Sequence, residues 1–198
     1  MDVVKRYKKD EADQFARALA VLVNGLDGDP HDFLGEVAGE MEILNEWHGQ
    51  FFTPQCISDM MASMSIGDAA PSAHRIKICE PCVGSGSMMI GVTKEMQARK
   101  FSPWNWWADC TDIDQRMFHA AYIQLSLLGV PGVIRHGNTL SLEQWEAELT
   151  PVGAMYPLRE EFTTAEKAVD GFFEEPAIVT PCIPPMPRLK NAEQLQLI

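Results

Sequence analysis

The stretch Glu80-Pro81-Cys82-Val83-Gly84-Ser85-Gly86 decides the fold, because it separates a short apolar run from an amphipathic pattern that starts at Ser87. A strand, a glycine turn and a helix in this order form the crevice of nucleotide-binding α/β folds, where a ligand lies against the backbone at a helix N-terminus. By itself the Gly-x-Gly pair is a weak signal, since Met89 stands where the third glycine of the dinucleotide fingerprint would be. The same residues suit a tight connection with no ligand, so both interpretations are open at this point.

Short apolar runs and helical patterns alternate on both sides of this loop. The sequence predicts strands at residues 75–80, 104–112 and 130–136, with helices at 87–100 and 115–128. A β-α-β-α-β series folds as a parallel sheet with right-handed crossover helices. We therefore predict an α/β fold with a Rossmann-like parallel sheet and flanking helices.

The N-terminal part has a different pattern. Apolar residues recur at three- and four-residue spacing within residues 11–47, and a turn at 24–30 interrupts them, which predicts two amphipathic helices. These helices are expected to serve packing alone. After them, Thr53 is predicted to cap a third helix with Pro54 in its first turn.

The C-terminal part gives a weaker signal. A helix is predicted at residues 143–149 and a further strand at 177–179, followed by a proline-rich, irregular end. The expected organisation is an N-terminal helical segment (1–47), a core (48–142) and an irregular segment that completes the domain (143–198).

Size and composition place the chain within the range of one ordinary globular domain. It has 198 residues, of which 46% are hydrophobic and 22% are charged. Its first ten residues are polar and basic, and no segment approaches the roughly eighteen consecutive apolar residues of a membrane span. We therefore expect no signal peptide, no membrane association and a cytoplasmic location.

The formal net charge of -12 limits how the chain meets DNA. Tight DNA binding draws much of its affinity from lysine and arginine side chains that displace counterions from phosphates. The chain alone should therefore bind DNA poorly. Either a partner protein supplies the basic DNA-contacting surface, or the chain never touches DNA.

The cysteines indicate a reducing compartment. Cys79 and Cys110 fall in apolar runs and are expected to be buried, reduced thiols. Cys79 and Cys82 form a C-x-x-C pair, which suits redox chemistry or half a zinc site, but no second pair stands at ligand spacing. No metal is predicted. The full set is Cys56, Cys79, Cys82, Cys110 and Cys182.

Acidic residues beside the loop narrow the class of ligand. Asp112 and Asp114 stand at the end of the second predicted strand, where a carboxylate accepts hydrogen bonds from the ribose hydroxyls of a nucleoside cofactor. Glu80 would repel a pyrophosphate. A cationic nucleoside such as a sulfonium cofactor suits this field better than a dinucleotide or ATP.

Four ordered motifs resemble those of the amino-methylating adenine DNA methyltransferases, and most of all the modification subunit of type I restriction-modification enzymes. The resemblance covers about residues 30 to 142 and includes a helical lead-in at 32–36. The motifs are Gly49-Gln50-Phe51-Phe52-Thr53-Pro54, Glu80-Pro81-Cys82-Val83-Gly84-Ser85-Gly86, Asp112-Ile113-Asp114 and Gly137-Asn138-Thr139-Leu140.

The resemblance implies S-adenosylmethionine as cofactor. Phe52, Thr53 and Pro54 would line its methionine end, and the glycine loop would run beneath it. Asp112 would hold the ribose. Asn138 would reach the adenine ring, with its side-chain oxygen accepting from the exocyclic amine where many relatives have an aspartate. The implied cofactor-binding set is Phe52, Thr53, Pro54, Glu80, Pro81, Gly84, Ser85, Gly86, Asp112, Ile113 and Asn138.

The catalytic motif of these relatives is not recognisable. They orient the target amine with a short Asn/Asp-Pro-Pro-aromatic segment, and no such tetrapeptide occurs in this sequence. Thr180 and Pro181 are weak candidates, because they follow the last apolar run; a proline-rich closing segment is the competing interpretation. Little sequence follows that run, so a truncated domain is expected.

Whether the chain is an enzyme therefore stays open at this stage. One hypothesis is a DNA adenine-N6 methyltransferase of the restriction-modification type, working with another protein subunit through which it meets DNA. The alternative is a catalytically inactive module that binds the cofactor or a partner and regulates or interferes with such a system. A small-molecule methyltransferase and a structural relic without ligand are further alternatives.

Overall fold

A computed structural model describes residues 4–41, 53–67, 69, 71 and 76–156. The chain divides into two compact units, Met1–Arg159 and Glu160–Ile198, and every described residue belongs to the first unit. Its helices are α1 (Lys9–Leu26), α2 (Phe33–Glu40), α3 (Gln55–Ile66), α4 (Ser87–Ala98), α5 (Gln115–Leu127) and α6 (Pro151–Ala154). Its strands are β1 (Ile76–Glu80), β2 (Trp106–Asp112), β3 (Gly132–Asn138) and β4 (Glu143–Leu149).

The four strands form one sheet in the order β1-β2-β3-β4. The first three run parallel, with Ile78 opposite Ala108 and Cys110 opposite Ile134. Helices α4 and α5 provide the connections between them. The predicted α/β fold with a mainly parallel sheet is confirmed, and the three predicted strands are present with slightly different ends.

The prediction of a helix at residues 143–149 was wrong, because these residues form β4, antiparallel to β3. Glutamate, alanine and leucine favour helices, but the open edge of β3 offers a ladder of hydrogen bonds that outweighs this intrinsic preference. The pairing shifts where Gly137 faces Gln144 and His136 faces Glu146, which makes Trp145 the extra residue of a bulge.

The main core lies on one face of the sheet. Side chains of α4 and α5 pack there against alternate residues of β2 and β3, since successive strand residues point to opposite faces. Its fully buried members include Ile90, Ala108, Cys110, Phe118, Leu125 and Ile134. A smaller cluster of Trp107, Val133 and Tyr156 covers the other face.

The thiol of Cys110 is buried as predicted, but the prediction that Cys79 is buried was wrong. The strand β1 alternates between half-buried and exposed residues, and Cys79 shares its exposed face with Lys77. An apolar run alone does not reveal which of its residues face the core. Cys82 is exposed as well, and Cys182 lies outside the described residues.

The two predicted N-terminal helices are present as α1 and α2, and residues 42–47 of the predicted segment lie outside the described residues. Gly25 near the end of α1 lets the ring of Phe33 approach closely, since a Cβ atom there would lie 2.5 Å from Phe33 Cδ2. Asp32 caps α2 by accepting from the Gly35 amide at 2.9 Å. Within the described ranges, no helix is long and apolar enough to cross a membrane.

Candidate functional site

The candidate site lies at the carboxyl ends of the three parallel strands. The strands β1, β2 and β3 end at Glu80, Asp112 and Asn138 respectively. Because the strands are parallel neighbours, these three ends come together at one edge of the sheet. Ligands of open α/β sheets bind in the crevice outside this edge.

The glycine loop adopts a backbone that its glycines permit. Gly84 has a φ of 55° and Gly86 a φ of 113°, both in the left-handed region that disfavours side chains. A Cβ atom at Gly84 would meet no atom within 4 Å, so this side of the loop is open to a ligand. The loop therefore fits a cofactor laid against its backbone.

Strand β2 holds this loop in place. The Val83 amide donates to the Thr111 carbonyl at 2.9 Å, and the Gly84 amide donates to Asp112 Oδ2 at 2.8 Å. The other oxygen, Asp112 Oδ1, accepts from the Asp114 amide at 2.8 Å. A carboxylate has about four acceptor positions, so the half-buried Asp112 keeps acceptor capacity for ribose hydroxyls.

Asp114 has a different role from Asp112. Its Oδ1 accepts from the Arg116 amide at 2.8 Å, which caps helix α5, and its Oδ2 pairs with Arg116 Nη2 at 2.6 Å. The guanidinium therefore compensates the charge of Asp114. From the sequence, both aspartates were candidates for contacting the ligand. In the structure, Asp112 contacts the glycine loop, whereas Asp114 pairs with Arg116.

The crevice is negatively charged. Glu80 Oε1 accepts from the Cys82 amide at 3.2 Å. Burial and, to a smaller extent, the charge of Asp112 raise the pKa of Glu80 despite that hydrogen bond. Burial together with Asp112 and Glu80 also raises the pKa of the Cys82 thiol. Such a field repels phosphate and favours a cationic ligand.

The Thr-Pro element lies next to the glycine loop. Ser87, the first residue of α4, donates from Oγ to the Thr53 carbonyl at 3.2 Å, and its Oγ lies 2.8 Å from Ser58 Oγ. The prediction that Thr53 caps α3 was wrong. Pro54 occupies the cap position in an extended conformation, and no side chain caps this helix. Phe52 lies outside the described residues.

The fourth motif also contacts the loop. Thr139 Oγ1 donates to the Pro81 carbonyl at 2.6 Å. Asn138 Oδ1 accepts from the amides of Leu140 at 2.9 Å and Ser141 at 3.3 Å, so the oxygen caps its own turn. The amide group of Asn138, rather than its oxygen, is then the polar group left for an adenine contact.

Three aromatic side chains contact one another near the end of β3, and the sequence did not predict this cluster. The His136 ring stacks on Phe118 with centroids 5.8 Å apart and meets Trp145 edge-on at 4.8 Å. His136 Nε2 lies 3.3 Å from the carbonyl oxygen of Ile113. The side chain of Ile113 is 59% exposed, so an apolar surface lies beside Asp112. The sequence does not place Trp145 at this site, because the pattern of residues 143–149 predicts a helix and not the strand β4.

Two further predictions concern catalysis and metal binding. Thr180 and Pro181 lie outside the described residues. Among the residues that the structure describes, no group of three or more His, Cys, Asp or Glu side chains could hold a metal ion.

A family model described as N-6 DNA Methylase matches residues 38–182, well over half of the chain. A solved structure, the methyltransferase subunit of the type I restriction-modification system from Streptococcus thermophilus, is 18% identical with a TM-score of 0.40. The match covers 61% of this chain but only 26% of that subunit. No curated protein matches the chain.

Proposed function

The chain belongs to the N-6 DNA methylase family, and from that premise we propose that it binds S-adenosylmethionine for the methylation of adenine N6 in DNA. The cofactor supplies a methyl group on a sulfonium centre. The residues of this chain bind and orient it at the carboxyl end of the sheet. Because this activity acts on DNA, we also propose a cytoplasmic location.

One observation carries the proposal: the Gly84 amide donates to Asp112 Oδ2 at 2.8 Å. A phosphate-binding loop directs its amides at the ligand, and a basic residue commonly assists it. Here a loop amide is already bound to a carboxylate, and a second carboxylate, Glu80, ends the adjacent strand. The arrangement suits a nucleoside whose ribose hydroxyls donate to a carboxylate and whose tail is cationic.

The proposed roles follow the geometry. Gly84 lets the cofactor approach the backbone, Gly86 lets the loop turn beside Leu125 into α4, and Asp112 accepts hydrogen bonds from the ribose hydroxyls. Ile113 provides an apolar surface for the adenine, and Asn138 donates to a ring nitrogen from its amide. We further propose that Phe52, Thr53 and Pro54 line the methionine end. The hydrogen bond from Ser87 to the Thr53 carbonyl supports this placement for the last two.

We propose that the chain contacts DNA through another protein subunit. The net charge of -12 leaves the chain with little of the positive surface that phosphates require. A basic partner would supply those contacts and hold a flipped adenine at the cofactor. Thr180 and Pro181 are the weak candidates for contacts to that base, and they fall within the family match.

A second candidate function is a catalytically inactive module that binds the cofactor or a partner and regulates a restriction-modification system. The observation that favours it is the sequence itself, in which no Asn/Asp-Pro-Pro-aromatic segment occurs. Without an acceptor for the amine hydrogens and an aromatic ring for the base, a bound cofactor would keep its methyl group.

Methyl transfer from labelled S-adenosylmethionine to duplex DNA separates the two candidates. The chain is assayed alone and together with the products of neighbouring genes, on DNA of varied sequence. Label incorporated into adenine supports the enzyme. Cofactor binding without transfer under every combination supports the regulatory module.

A further inference from the structure

A buried carboxylate outside the predicted site contacts the glycine loop. Asp32, at the start of α2, is only 5% exposed. Its Oδ2 accepts from Ser85 Oγ at 2.5 Å, and its Oδ1 accepts from Gln124 Nε2 at 2.9 Å as well as from Gly35. No lysine or arginine among the described residues pairs with it. A buried carboxylate without a cation is costly, so these donors must hold it in place.

The loop residue Ser85 is fixed at two points. It is 4% exposed and lies between the two glycines of the loop. Its hydroxyl donates to Asp32, and its carbonyl accepts from Gln124 Nε2 at 2.8 Å. The conformation of the flanking Gly84 therefore depends on groups that lie far away in the sequence.

Gln124 completes the network from helix α5. Its side chain is 0% exposed and makes three hydrogen bonds, of which the third is from the Leu34 amide to Oε1 at 3.0 Å. The amide of Asp32 donates to Gln55 Oε1 at 3.2 Å, which connects the same point to the start of α3. The Thr53-Pro54 element immediately precedes α3.

Only glycine at position 35 leaves room for the Asp32 carboxylate. A Cβ atom at this position would lie within 2.6 Å of both carboxylate oxygens of Asp32. Any side chain there would displace the carboxylate. Asp32, Gly35 and Ser85 thus form one unit. Gly35 leaves room for the Asp32 carboxylate, and that carboxylate accepts a hydrogen bond from Ser85.

We propose that Asp32 is a positioning residue for the cofactor site, acting through Ser85 on the glycine loop. The inference rests on the proposed binding of S-adenosylmethionine. It extends that proposal because it makes the docking of α2 and the occupancy of the loop depend on one another. Linkage is reciprocal, so cofactor binding stabilises the docked α2 to the same extent as docking favours binding.

The test is a double-mutant cycle on cofactor affinity. Asp32→Ala, Ser85→Ala and the double variant are titrated with S-adenosylmethionine by calorimetry. Each single change should weaken binding about tenfold, because each removes the hydrogen bond that fixes Ser85, so that the loop must be ordered when the cofactor binds. The double variant should bind about as weakly as the weaker single variant, since both remove the same coupling. Asp32→Asn, which keeps an acceptor for Gly35, should recover part of the affinity.

Two controls separate positioning from a general loss of stability. Val133→Ala opens the small cluster on the other face of the sheet and should lower the unfolding temperature while leaving affinity unchanged. Ser126→Ala removes a buried hydroxyl that has no hydrogen-bond partner among the described residues and should change neither.

The outcomes are distinguishable. Wild-type affinity in Asp32→Ala, or strictly additive losses in the double variant, would overturn the positioning role and leave the proposed cofactor binding intact. Affinity losses in Val133→Ala that match those in Asp32→Ala would reduce the effect to stability and overturn it too. A wild-type chain that binds no S-adenosylmethionine overturns both proposals.

Discussion

The carboxylate of Asp112 accepts a hydrogen bond from the Gly84 amide at 2.8 Å. Asp112 is the last residue of β2, Gly84 lies in the glycine loop that follows the neighbouring strand β1, and the hydrogen bond joins them at the carboxyl end of the sheet. The carboxylate that holds the loop therefore lies beside any ligand bound on the loop. Predictions about the site follow from this relationship.

Replacing Gly84 with leucine should abolish S-adenosylmethionine binding. A side chain would enter the open space on the ligand side, and the φ of 55° would add strain of about 1 to 2 kcal/mol. Gly28 is a matched control, because it has a φ of 89° and equally open surroundings in a turn far along the chain. Gly28→Leu should cost similar stability in urea unfolding yet bind normally. Binding by Gly84→Leu would mean that the ligand lies elsewhere.

The pKa of Glu80 predicts a pH dependence of stability. Burial raises this pKa in the folded state, so the folded chain holds the proton more tightly than the unfolded chain. The contribution of Glu80 is therefore most favourable at low pH and is lost as the pH rises from the ordinary carboxyl range, about 4 to 5, through the raised value. Glu80→Gln should be more stable than wild type at neutral pH.

The advantage of Glu80→Gln should shrink as the pH falls towards that range, in thermal unfolding measured across pH. The glutamine oxygen can still accept from the Cys82 amide, so the loop hydrogen bond is kept. Since the substitution removes a negative charge, it should also weaken binding of the cationic cofactor. A variant that is less stable than wild type at every pH would contradict the raised pKa.

Gly91→Ala should destabilise the chain by about 1 to 3 kcal/mol, although alanine normally favours a helix over glycine. A Cβ atom there would lie 2.9 Å from the Ser58 carbonyl oxygen, where α4 packs against α3. Gln97→Ala, at an exposed position of the same helix, should remain within about 0.5 kcal/mol of wild type in urea unfolding. Equal stabilities for the two variants would show that the helices are not in close contact.

Asn138→Asp should bind S-adenosylmethionine several-fold more weakly. One oxygen of the aspartate can retain the caps to Leu140 and Ser141, but the second cannot donate to a ring nitrogen as the asparagine amide does. Asn24→Asp adds the same charge at an exposed position of α1 and should leave calorimetric affinity unchanged. Tighter binding by Asn138→Asp would instead show that this position accepts from the exocyclic amine of the adenine.

Much of the fold was predictable because its signals are local. The alternation of apolar runs with helical patterns located β1, β2 and β3 and the helices between them within a few residues. The glycine loop and the acidic end of β2 were likewise visible in the sequence. β4 was not, since its composition favours a helix and only the edge of β3 makes it a strand.

The contacts that hold the site were not predictable. Asp32 binds Ser85 across 53 positions, and Gln124 binds Asp32 across 92. No periodicity or motif spacing indicates hydrogen bonds over such distances. Asn138 was identified by position, but the use of its oxygen as a cap depends on the backbone of the following turn.

Calorimetric titration with S-adenosylmethionine tests the central claim most directly, with wild type, Asp112→Ala and the exposed control Glu148→Ala. The wild type should bind in the micromolar range, roughly -8 kcal/mol, and Glu148→Ala should equal it. Asp112→Ala should lose about a hundredfold or more, because both the loop hydrogen bond and the ribose acceptor are removed. No binding by the wild type, or undiminished binding by Asp112→Ala, would contradict a cofactor site at this strand end.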